Sequence, residues 1–213
     1  MRVLAIHTAG PACDIALMDG KHVLCERFEQ MSRGQDARLP GLVQQVCDDA
    51  QIRLNELDRI AVVTGPGSFT GVRVGVAFAR GLALVCKVPC VGVTSLEAAL
   101  PQGQQGSAIV LLPAQKRPPD ITFWAQRFRS GLATGPAEEI RLDTLQNQQR
   151  AHPHMIYGDA DILAMHLPDT AIRRAQPTAR GAAQVGARLD PMARIARPTY
   201  ARAPDATPPA LKA

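Results

Sequence analysis

Hydrophobic and polar positions alternate in a regular order near the start of the chain. Two short apolar runs, residues 3–6 and 13–18, have the length and composition of buried strands. Asp19-Gly20 follows the second run and predicts a type I′ hairpin turn, in which both central residues need positive φ. Residues 22–29 predict a third strand. The chain therefore opens with a predicted antiparallel meander.

Apolar residues then recur at helical spacing over residues 36–50. The positions i, i+3, i+4 and i+7 are Leu39, Leu42, Val43 and Val46. Pro40 interrupts this pattern. Because proline has no backbone N–H, it fits the helix only if it lies in the first turn.

The pattern continues with alternating strands and helices up to residue 100. Residues 59–64 predict a buried strand, residues 70–86 a helix, and residues 90–93 a short strand. Thr94 and Glu97 have the spacing of a capping box, which predicts a further helix through Leu100.

Composition changes at residues 101–106, which read PQGQQG and predict a domain boundary. Beyond it, strands are predicted at 107–112, 121–128, 137–142 and 154–158, and helices at 159–167 and 178–189. We therefore expect an N-terminal subdomain over 1–100, a second one over 101–190, and a Pro/Ala/Arg-rich tail over 191–213. The order of three strands, helix, strand and helix excludes a pure Rossmann fold, and no repeat is visible in the sequence.

Composition narrows the class of protein. The 213 residues are 46% hydrophobic and 20% charged, as in soluble globular proteins, and carry a net charge of +5. The positive charge is mostly arginine without a dense run, so direct nucleic-acid binding is not favoured. The start lacks a signal-peptide pattern, and no apolar run is expected to span a bilayer. The chain is expected to be cytoplasmic, with its five cysteines as free thiols.

A glycine-rich loop precedes the second predicted helix. Its spacing does not match the phosphate loop, which needs four residues between two glycines and a lysine directly after the second. It does not match the dinucleotide fingerprint G-x-G-x-x-G either. Ser68 and Thr70 are good N-cap residues, and free N–H groups at a helix start can bind an anion. The candidate anion-binding residues are Gly65, Gly67, Ser68 and Thr70.

Small residues form a stripe along the helix that follows. Gly71, Gly75, Ala79 and Ala83 are four residues apart. Two helical glycines cost about 1 kcal/mol each relative to alanine, so the stripe needs a compensating contact, such as a closely approaching backbone. Since the other faces are also apolar, the helix is buried either in its own domain or by a partner.

These segments together resemble the TsaB (YeaZ) family, subunits of the bacterial machinery that makes threonylcarbamoyladenosine in tRNA. The helix segment GPGSFTGVRVGVAFARGLAL, at 65–84, resembles the family signature. The opening MRVLAIHTAGPACDIALMDG resembles its first hairpin, residues 38–68 its first helix and next strand, and RPTYARAP its closing Pro-x-Tyr-x-Arg. The first hundred residues match well, whereas 107–176 match weakly.

The resemblance implies an actin-like ATPase fold with two halves, of which the C-terminal one is divergent here. It also implies a non-catalytic subunit that forms a heterodimer with a TsaD-type paralogue, which binds nucleotide and metal. A TsaE-type ATPase acts on that pair, and tRNA is reached through the complex. No cofactor and no metal are expected on this chain, and a homodimer is expected when it is alone.

The family forms its heterodimer through helices of the N-terminal half. This implies that the partner-binding residues are Leu39, Leu42, Val43, Val46, Gly71, Val72, Gly75, Val76, Ala79 and Ala83. We therefore expect Gly75→Leu or Ala79→Leu to block heterodimer formation while leaving the fold largely intact.

One position departs from the pattern of actin-like enzymes. Their first strand ends in an aspartate that helps to hold the metal and phosphate, whereas this strand ends in His7. An imidazole does not replace a carboxylate as a ligand of a hard cation. This weakens the alternative of an independent actin-like ATPase or small-molecule kinase. A metalloprotease is also disfavoured, because no His-Glu-x-x-His is present.

Other residues with chemical potential have simpler interpretations. Ser68 lacks the G-x-S-x-G context of a nucleophile and is interpreted as a helix cap. His152 and His154 lack further ligands in a metal-binding pattern. Arg73 and Arg80 lie seven residues apart on one side of the helix, where they either pair with a partner or are solvated.

Overall fold

The computed structural model describes residues 1–115, 121–151, 154–168 and 170–199. Its first sheet consists of β1 Arg2–His7, β2 Ala12–Asp19, β3 His22–Gln30, β4 Arg59–Val63 and β5 Cys90–Val93. The strand order is β3-β2-β1-β4-β5. The three meander strands pair antiparallel, and β1, β4 and β5 pair parallel. All five predicted strands of this half are confirmed.

The second sheet consists of β6 Ser107–Gln115, β7 Thr122–Arg129, β8 Leu132–Ala133, β9 Glu138–Arg141, β10 Met155–Gly158 and β11 Ile172–Arg174. Its order is β11-β10-β6-β7-β8, and β9 pairs with β7. The sequence predicts the four longer strands. It misses β8 and β11, which have only two and three residues and therefore show no alternating pattern.

Six α-helices cover the two sheets in the part of the chain that the structure describes. They are α1 Gln35–Asp49, α2 Phe69–Cys86, α3 Ser95–Ala99, α4 Leu142–Ala151, α5 Ala160–Ala164 and α6 Ala179–Gly186. Each half thus runs through a strand meander, a helix, a strand, a helix, a strand and a final helix. The repeat is one of element order, which explains why the sequence does not show it. The predicted α/β class is confirmed.

The last helix of each half packs against the other half. α3 contacts β6 and β7, whereas α6 packs against β1, β2 and β4. Side chains of the first sheet hold both ends of α6. At its start, Asp14 Oδ2 accepts a hydrogen bond from Ala179 N at 2.7 Å. At its end, Arg59 donates to the carbonyls of Gly186 and Leu189 at 2.7 and 2.6 Å.

The packing of α3 and α6 against the opposite halves affects where a boundary between subdomains can be drawn. Residues 101–106 join α3 to β6 and so separate the two sheets along the chain. However, α6 falls within the predicted second subdomain, 101–190, and lies on the first sheet. The division at this loop stays a prediction.

Local details of the first half correct two predictions. Pro40 is the sixth residue of α1 and lies beyond the first turn. Pro40 is exposed, as is Asp36, whose carbonyl lacks the N–H partner that a non-proline residue at position 40 would supply. The first hairpin turns at Gly20-Lys21, one residue later than predicted, since Asp19 pairs with His22. Only Gly20 has positive φ there, which fits a type II′ turn rather than type I′.

The helices of the second half also differ from the predictions. α4 is missed because its ten residues are mostly polar, and Leu145 is its one buried residue. The helix predicted over 159–167 is shorter, and Asp159 caps its start through hydrogen bonds from two backbone N–H groups. α3 agrees with its prediction, including the capping box of Thr94 and Glu97.

The described part of the predicted tail lies against the first sheet. Residues 193–199, which we call the C-terminal strap, run beside β5 through a bridge between Val91 and Ile195. Thr199 N donates to Thr64 O at 2.8 Å, and Ala196 is buried. Residues 200–213, which include the Tyr-x-Arg of the closing motif, lie outside the described residues.

α2 also qualifies by length and composition as a helix that could cross a membrane. It has 18 residues and a mean hydropathy of 1.5, contrary to the expectation that no such run exists. A third of the helix is buried inside the protein. Core helices of soluble proteins have the same length and composition, and a single such helix is weak evidence for a membrane span.

Candidate partner interface

The glycine-rich loop is fixed by hydrogen bonds to neighbouring elements. Ser68 Oγ caps α2 by accepting from Gly71 N at 3.2 Å, which confirms the predicted capping role. Ser68 N donates to Ala9 O at 2.8 Å, and Ser95 Oγ donates to Pro66 O at 2.7 Å. Since these N–H groups of Ser68 and Gly71 already have partners, an anion at this helix start would have fewer donors. Anion binding by Gly65, Gly67, Ser68 and Thr70 stays a prediction.

The small-residue stripe of α2 faces this chain's own first strand. A Cβ atom added to Gly71 would lie 2.0 Å from Thr8 O, and one added to Gly75 would lie 2.3 Å from Thr8 Oγ1. Thr8 Oγ1 donates to Gly71 O at 2.7 Å across this contact. The close approach that the stripe predicts is therefore real, but the approaching backbone is internal.

The same holds for all ten residues assigned to partner binding. They are buried within the chain, in the face of each helix that packs on the first sheet: Leu39, Leu42, Val43, Val46, Gly71, Val72, Gly75, Val76, Ala79 and Ala83. This corrects the expectation that Gly75→Leu or Ala79→Leu would spare the fold. A partner must contact other residues of these helices first.

A second apolar face of α2 is open to solvent. This outer face comprises the exposed Ala77, Gly81, Leu84 and Val85 and is bordered on the same side of the helix by the half-buried Val74. Leu84 is 80% exposed and Val85 is 77% exposed. A Cβ atom added to Gly81 would meet nothing within 4 Å. The sequence carried this signal, since α2 is apolar nearly all round, but periodicity alone did not tell the two faces apart.

Basic residues border the outer face along the β5 side of α2. Arg73, Arg80 and Lys87 are spaced by seven residues, which places them near one line. The Arg73 guanidinium lies over the Phe69 ring, with its carbon 3.7 Å from the ring centroid. Phe69 is itself 53% exposed and extends the apolar surface towards the start of the helix. The interface would therefore be apolar in the middle and basic along one edge.

His7 lies at the end of β1, where actin-like enzymes carry their aspartate. It is 7% exposed, and its Nδ1 accepts a hydrogen bond from Ala9 N at 3.4 Å. Burial lowers the pKa of His7 from 6.5 to about 4. The imidazole is therefore neutral at physiological pH and supplies no negative charge for a metal ion.

Asp14 lies opposite His7 in the pairing of β1 with β2. Burial raises the pKa of Asp14 from 3.8 to about 6, while the hydrogen bond from Ala179 N opposes this rise. The charges of Glu26 and Arg180 act on it in opposite directions. This carboxylate anchors α6, which gives it a structural role.

No metal site is present among the described residues, in which no group of three or more His, Cys, Asp or Glu could hold an ion. His152 lies outside the described residues. The five cysteines are free thiols, and burial raises the pKa values of Cys47 and Cys90 to about 11. These two thiols are therefore protonated near neutral pH and poorly reactive.

The chain is similar to several known proteins. The family model described as tRNA N6-adenosine threonylcarbamoyltransferase, TsaD, matches residues 29–116. The Escherichia coli tRNA threonylcarbamoyladenosine biosynthesis protein TsaB is 36% identical over 147 residues, 67% of this chain and 62% of that protein. An uncharacterised Mycobacterium tuberculosis protein is 32% identical, covering 98% of this chain and 95% of that protein.

The chain belongs to the TsaB (YeaZ) family. A crystal structure of a Pseudomonas aeruginosa protein similar to YeaZ aligns with a TM-score of 0.73 at 23% identity, covering 94% of this chain and 99% of that one. A ROK hexokinase from Thermus thermophilus aligns with a TM-score of 0.50 at 14% identity, covering 86% and 96%. The actin-like fold expected for a TsaB-family chain is confirmed.

The matches cover different shares of the chain and of its relatives. The alignment spans 62% of the length of the Escherichia coli protein, and the transferase model covers 88 of the 213 residues here, counted from 29 to 116. That matched segment contains both α1 and α2. The helices of the candidate interface therefore lie in the segment of this TsaB-family chain that the transferase model matches.

The pKa values of His7 and Asp14 predict how the stability of this TsaB-family chain depends on pH. The folded pKa of Asp14 is raised, so its contribution is fully present below pH 3.8 and is lost as pH rises to about 6. The lowered folded pKa of His7 has the opposite effect, since its contribution is lost as pH falls from 6.5 to about 4. The two contributions offset each other in the unmodified protein.

Asp14→Asn should make the Asp14 contribution visible, because asparagine still accepts from Ala179 N but does not titrate. Relative to the unmodified protein, the variant should gain up to about 3 kcal/mol in unfolding free energy between pH 4 and pH 6.5. Urea denaturation of both proteins at four pH values checks this. A difference that stays constant with pH would show that the folded pKa of Asp14 is not raised.

Proposed function

We propose that this chain is a non-catalytic subunit that binds and activates a TsaD-type transferase for threonylcarbamoyladenosine formation in tRNA, adjacent to the anticodon. A TsaE-type ATPase acts on the pair, and tRNA is bound through the complex. The observation that carries the proposal is the outer face of α2, an exposed apolar surface that no described residue covers.

The outer face has the properties of a helix-packing surface. Ala77 and Gly81 are four residues apart and leave a shallow path along α2, while Leu84 and Val85 project beside it. Small residues allow the axes of two helices to approach closely. Soluble monomers rarely leave a contiguous apolar patch of this kind uncovered, so a protein partner is the simplest occupant.

The transferase match supports a partner of related fold. The model of that family matches residues 29–116, the segment that forms α1 and α2 in this chain. A paralogue with the same segment presents an equivalent helix pair. Two such surfaces would pack about a pseudo-twofold axis, as in isologous dimers. A homodimer through the same face is then the expected state of the isolated chain.

A non-catalytic role is supported by the end of β1. The neutral, buried His7 stands where an actin-like ATPase needs a carboxylate. Metal and nucleotide are accordingly proposed to bind to the partner. This leaves the present chain to position and stabilise the transferase.

Co-expression with the cognate transferase tests the proposal. We expect a stable complex in size-exclusion chromatography with light scattering, containing equal numbers of the two chains. This chain alone should give a homodimer that the transferase replaces. Independent elution of the two chains at micromolar concentration would contradict the proposal.

ATP binding provides a separate check on the non-catalytic assignment. Because the neutral His7 cannot serve as a ligand of Mg²⁺, the isolated chain should bind Mg²⁺-ATP weakly or not at all. Isothermal titration calorimetry measures this directly. A dissociation constant in the micromolar range would instead favour an independent actin-like ATPase or small-molecule kinase.

A further inference from the structure

A cleft lies between the C-terminal strap and the loop that follows β8. Its volume is about 650 Å³. The strap supplies Arg194 and Arg197, the loop supplies residues 133–137, and Gln126 lines the cleft from β7. None of the residues that line the cleft has a carboxylate side chain. The cleft shares no lining residue with the outer face of α2, so the inference drawn from it does not rest on the proposed function.

Arg194 is held in a fixed orientation at this cleft. Its Nη2 donates to Glu97 Oε2, and the Glu97 side chain is only 6% exposed. The same carboxylate oxygen accepts from Thr94 N at 2.8 Å, so α3 fixes its position. The carbonyl of Arg194 accepts from Gly92 N at 2.9 Å. Among the described residues, these contacts use one of the three guanidinium nitrogens and leave Nε and Nη1 for a ligand.

Arg197 lies three residues further along the strap. It is exposed and makes no ion pair with any of the described residues. The two arginines carry two positive charges, and Glu97 contributes one negative charge, so one positive charge remains at the cleft. A guanidinium group binds a phosphate or carboxylate through two parallel hydrogen bonds, and both arginines line the same cleft.

Gln126 adds a buried donor. It is 3% exposed, its Oε1 accepts from Thr94 Oγ1 at 2.7 Å, and its Nε2 donates to Gly135 O at 3.1 Å. The amide therefore keeps a second N–H without a partner among the described residues. The threonine hydroxyls around the cleft donate within the protein: Thr64 to Val93 O, Thr94 to Gln126, Thr134 to Arg127 O and Thr199 to Thr64. The remaining side-chain donors belong to the arginines and Gln126.

We propose that this cleft binds a small molecule through a phosphate or carboxylate group held between Arg194 and Arg197. The positioned Arg194 supplies the fixed part of the site, and the more exposed Arg197 closes over the anion. Because the strap joins β5 on one side and faces residues 133–137 on the other, a bound ligand would link the two halves of the protein. Binding should therefore raise the thermal midpoint of unfolding by mass action.

Titration of the full chain with sodium phosphate and with sodium acetate, at constant ionic strength, tests the site. We expect a saturable increase in the thermal midpoint and saturable NMR shifts for Gln126 and the strap. Phosphate acting alone would identify a phosphate group as the ligand, and both anions acting would identify a general oxyanion site. Either result supports the proposal.

Two arginine variants separate a specific site from general electrostatics. Arg197→Gln should weaken anion binding at least ten-fold while leaving the midpoint without anion unchanged, since Arg197 is exposed and forms no ion pair with a described residue. Arg173→Gln removes the same charge from exposed strand β11 and should bind like the unmodified protein. A linear response without saturation, or equal weakening in both variants, would overturn the proposal.

Discussion

Replacing Gly75 by leucine should destabilise the isolated protein by about 3 kcal/mol or more and leave much of it unfolded. The reason is the position of Thr8, whose Oγ1 would lie 2.3 Å from the new Cβ atom. The leucine must push α2 away from the end of β1, which also breaks the hydrogen bond from Thr8 Oγ1 to Gly71 O. Urea denaturation followed by circular dichroism measures the loss.

Gly81→Leu is the matched control for this variant. It is the same substitution in the same helix, but Gly81 faces open space. Replacing an exposed helical glycine by leucine should stabilise the chain by up to about 1 kcal/mol. Equal stability of the Gly75→Leu and Gly81→Leu proteins would contradict the close contact between the small-residue stripe and the end of β1.

The double substitution Leu84→Asp with Val85→Asp should abolish association with the transferase while preserving the fold. Both side chains are more than three-quarters exposed in the isolated chain, so the free protein tolerates charge there. In the complex, two carboxylates would be buried in an apolar contact. Burying unpaired charges should cost at least about 4 kcal/mol, a loss in affinity of roughly 1,000-fold. Co-purification and light scattering measure the effect.

Leu132→Asp provides the control for this substitution. Leu132 is 69% exposed on β8, in the second sheet and away from α2. This variant should bind the transferase with unchanged affinity. Normal association of the Leu84→Asp, Val85→Asp protein would exclude the outer face of α2 as the interface.

The order of elements in the first half is predictable because its signals are local. The strands of the meander have short apolar runs, and the capping box of Thr94 and Glu97 lies within four residues. The turn at Gly20-Lys21 differs by one residue, since turn chemistry alone does not fix the pairing register. Pro40 lies deeper in α1 than propensity predicts, because packing of α1 on the first sheet outweighs one lost hydrogen bond.

At the candidate interface, the sequence pattern does not reveal which group each face of α2 contacts. Spacing of four residues predicts correctly that something approaches Gly71 and Gly75 closely, but it does not identify the approaching group. That group is Thr8, 63 residues before Gly71 in the chain. A helix that is apolar on every side has no periodicity by which its internal and external faces could be told apart. The structure separates them by burial.

Long-range contacts explain the remaining differences in the second half. α6 docks on the first sheet through the bond between Asp14 and Ala179, which are 165 residues apart. The strap is likewise held by Thr64 and Gly92, far from it in sequence. Such contacts depend on the fold as a whole and leave no pattern in the local sequence.

The most direct test of a non-catalytic activating subunit is threonylcarbamoyladenosine formation in a reconstituted reaction. The complete system, with transferase, TsaE-type ATPase and tRNA, is assayed with this chain, without it, and with the Leu84→Asp, Val85→Asp protein. The account predicts modification only with the unmodified chain and at least a ten-fold loss in the other two reactions. Two results would contradict the account. One is full tRNA modification without this chain, and the other is full modification with a Leu84→Asp, Val85→Asp protein that does not associate with the transferase.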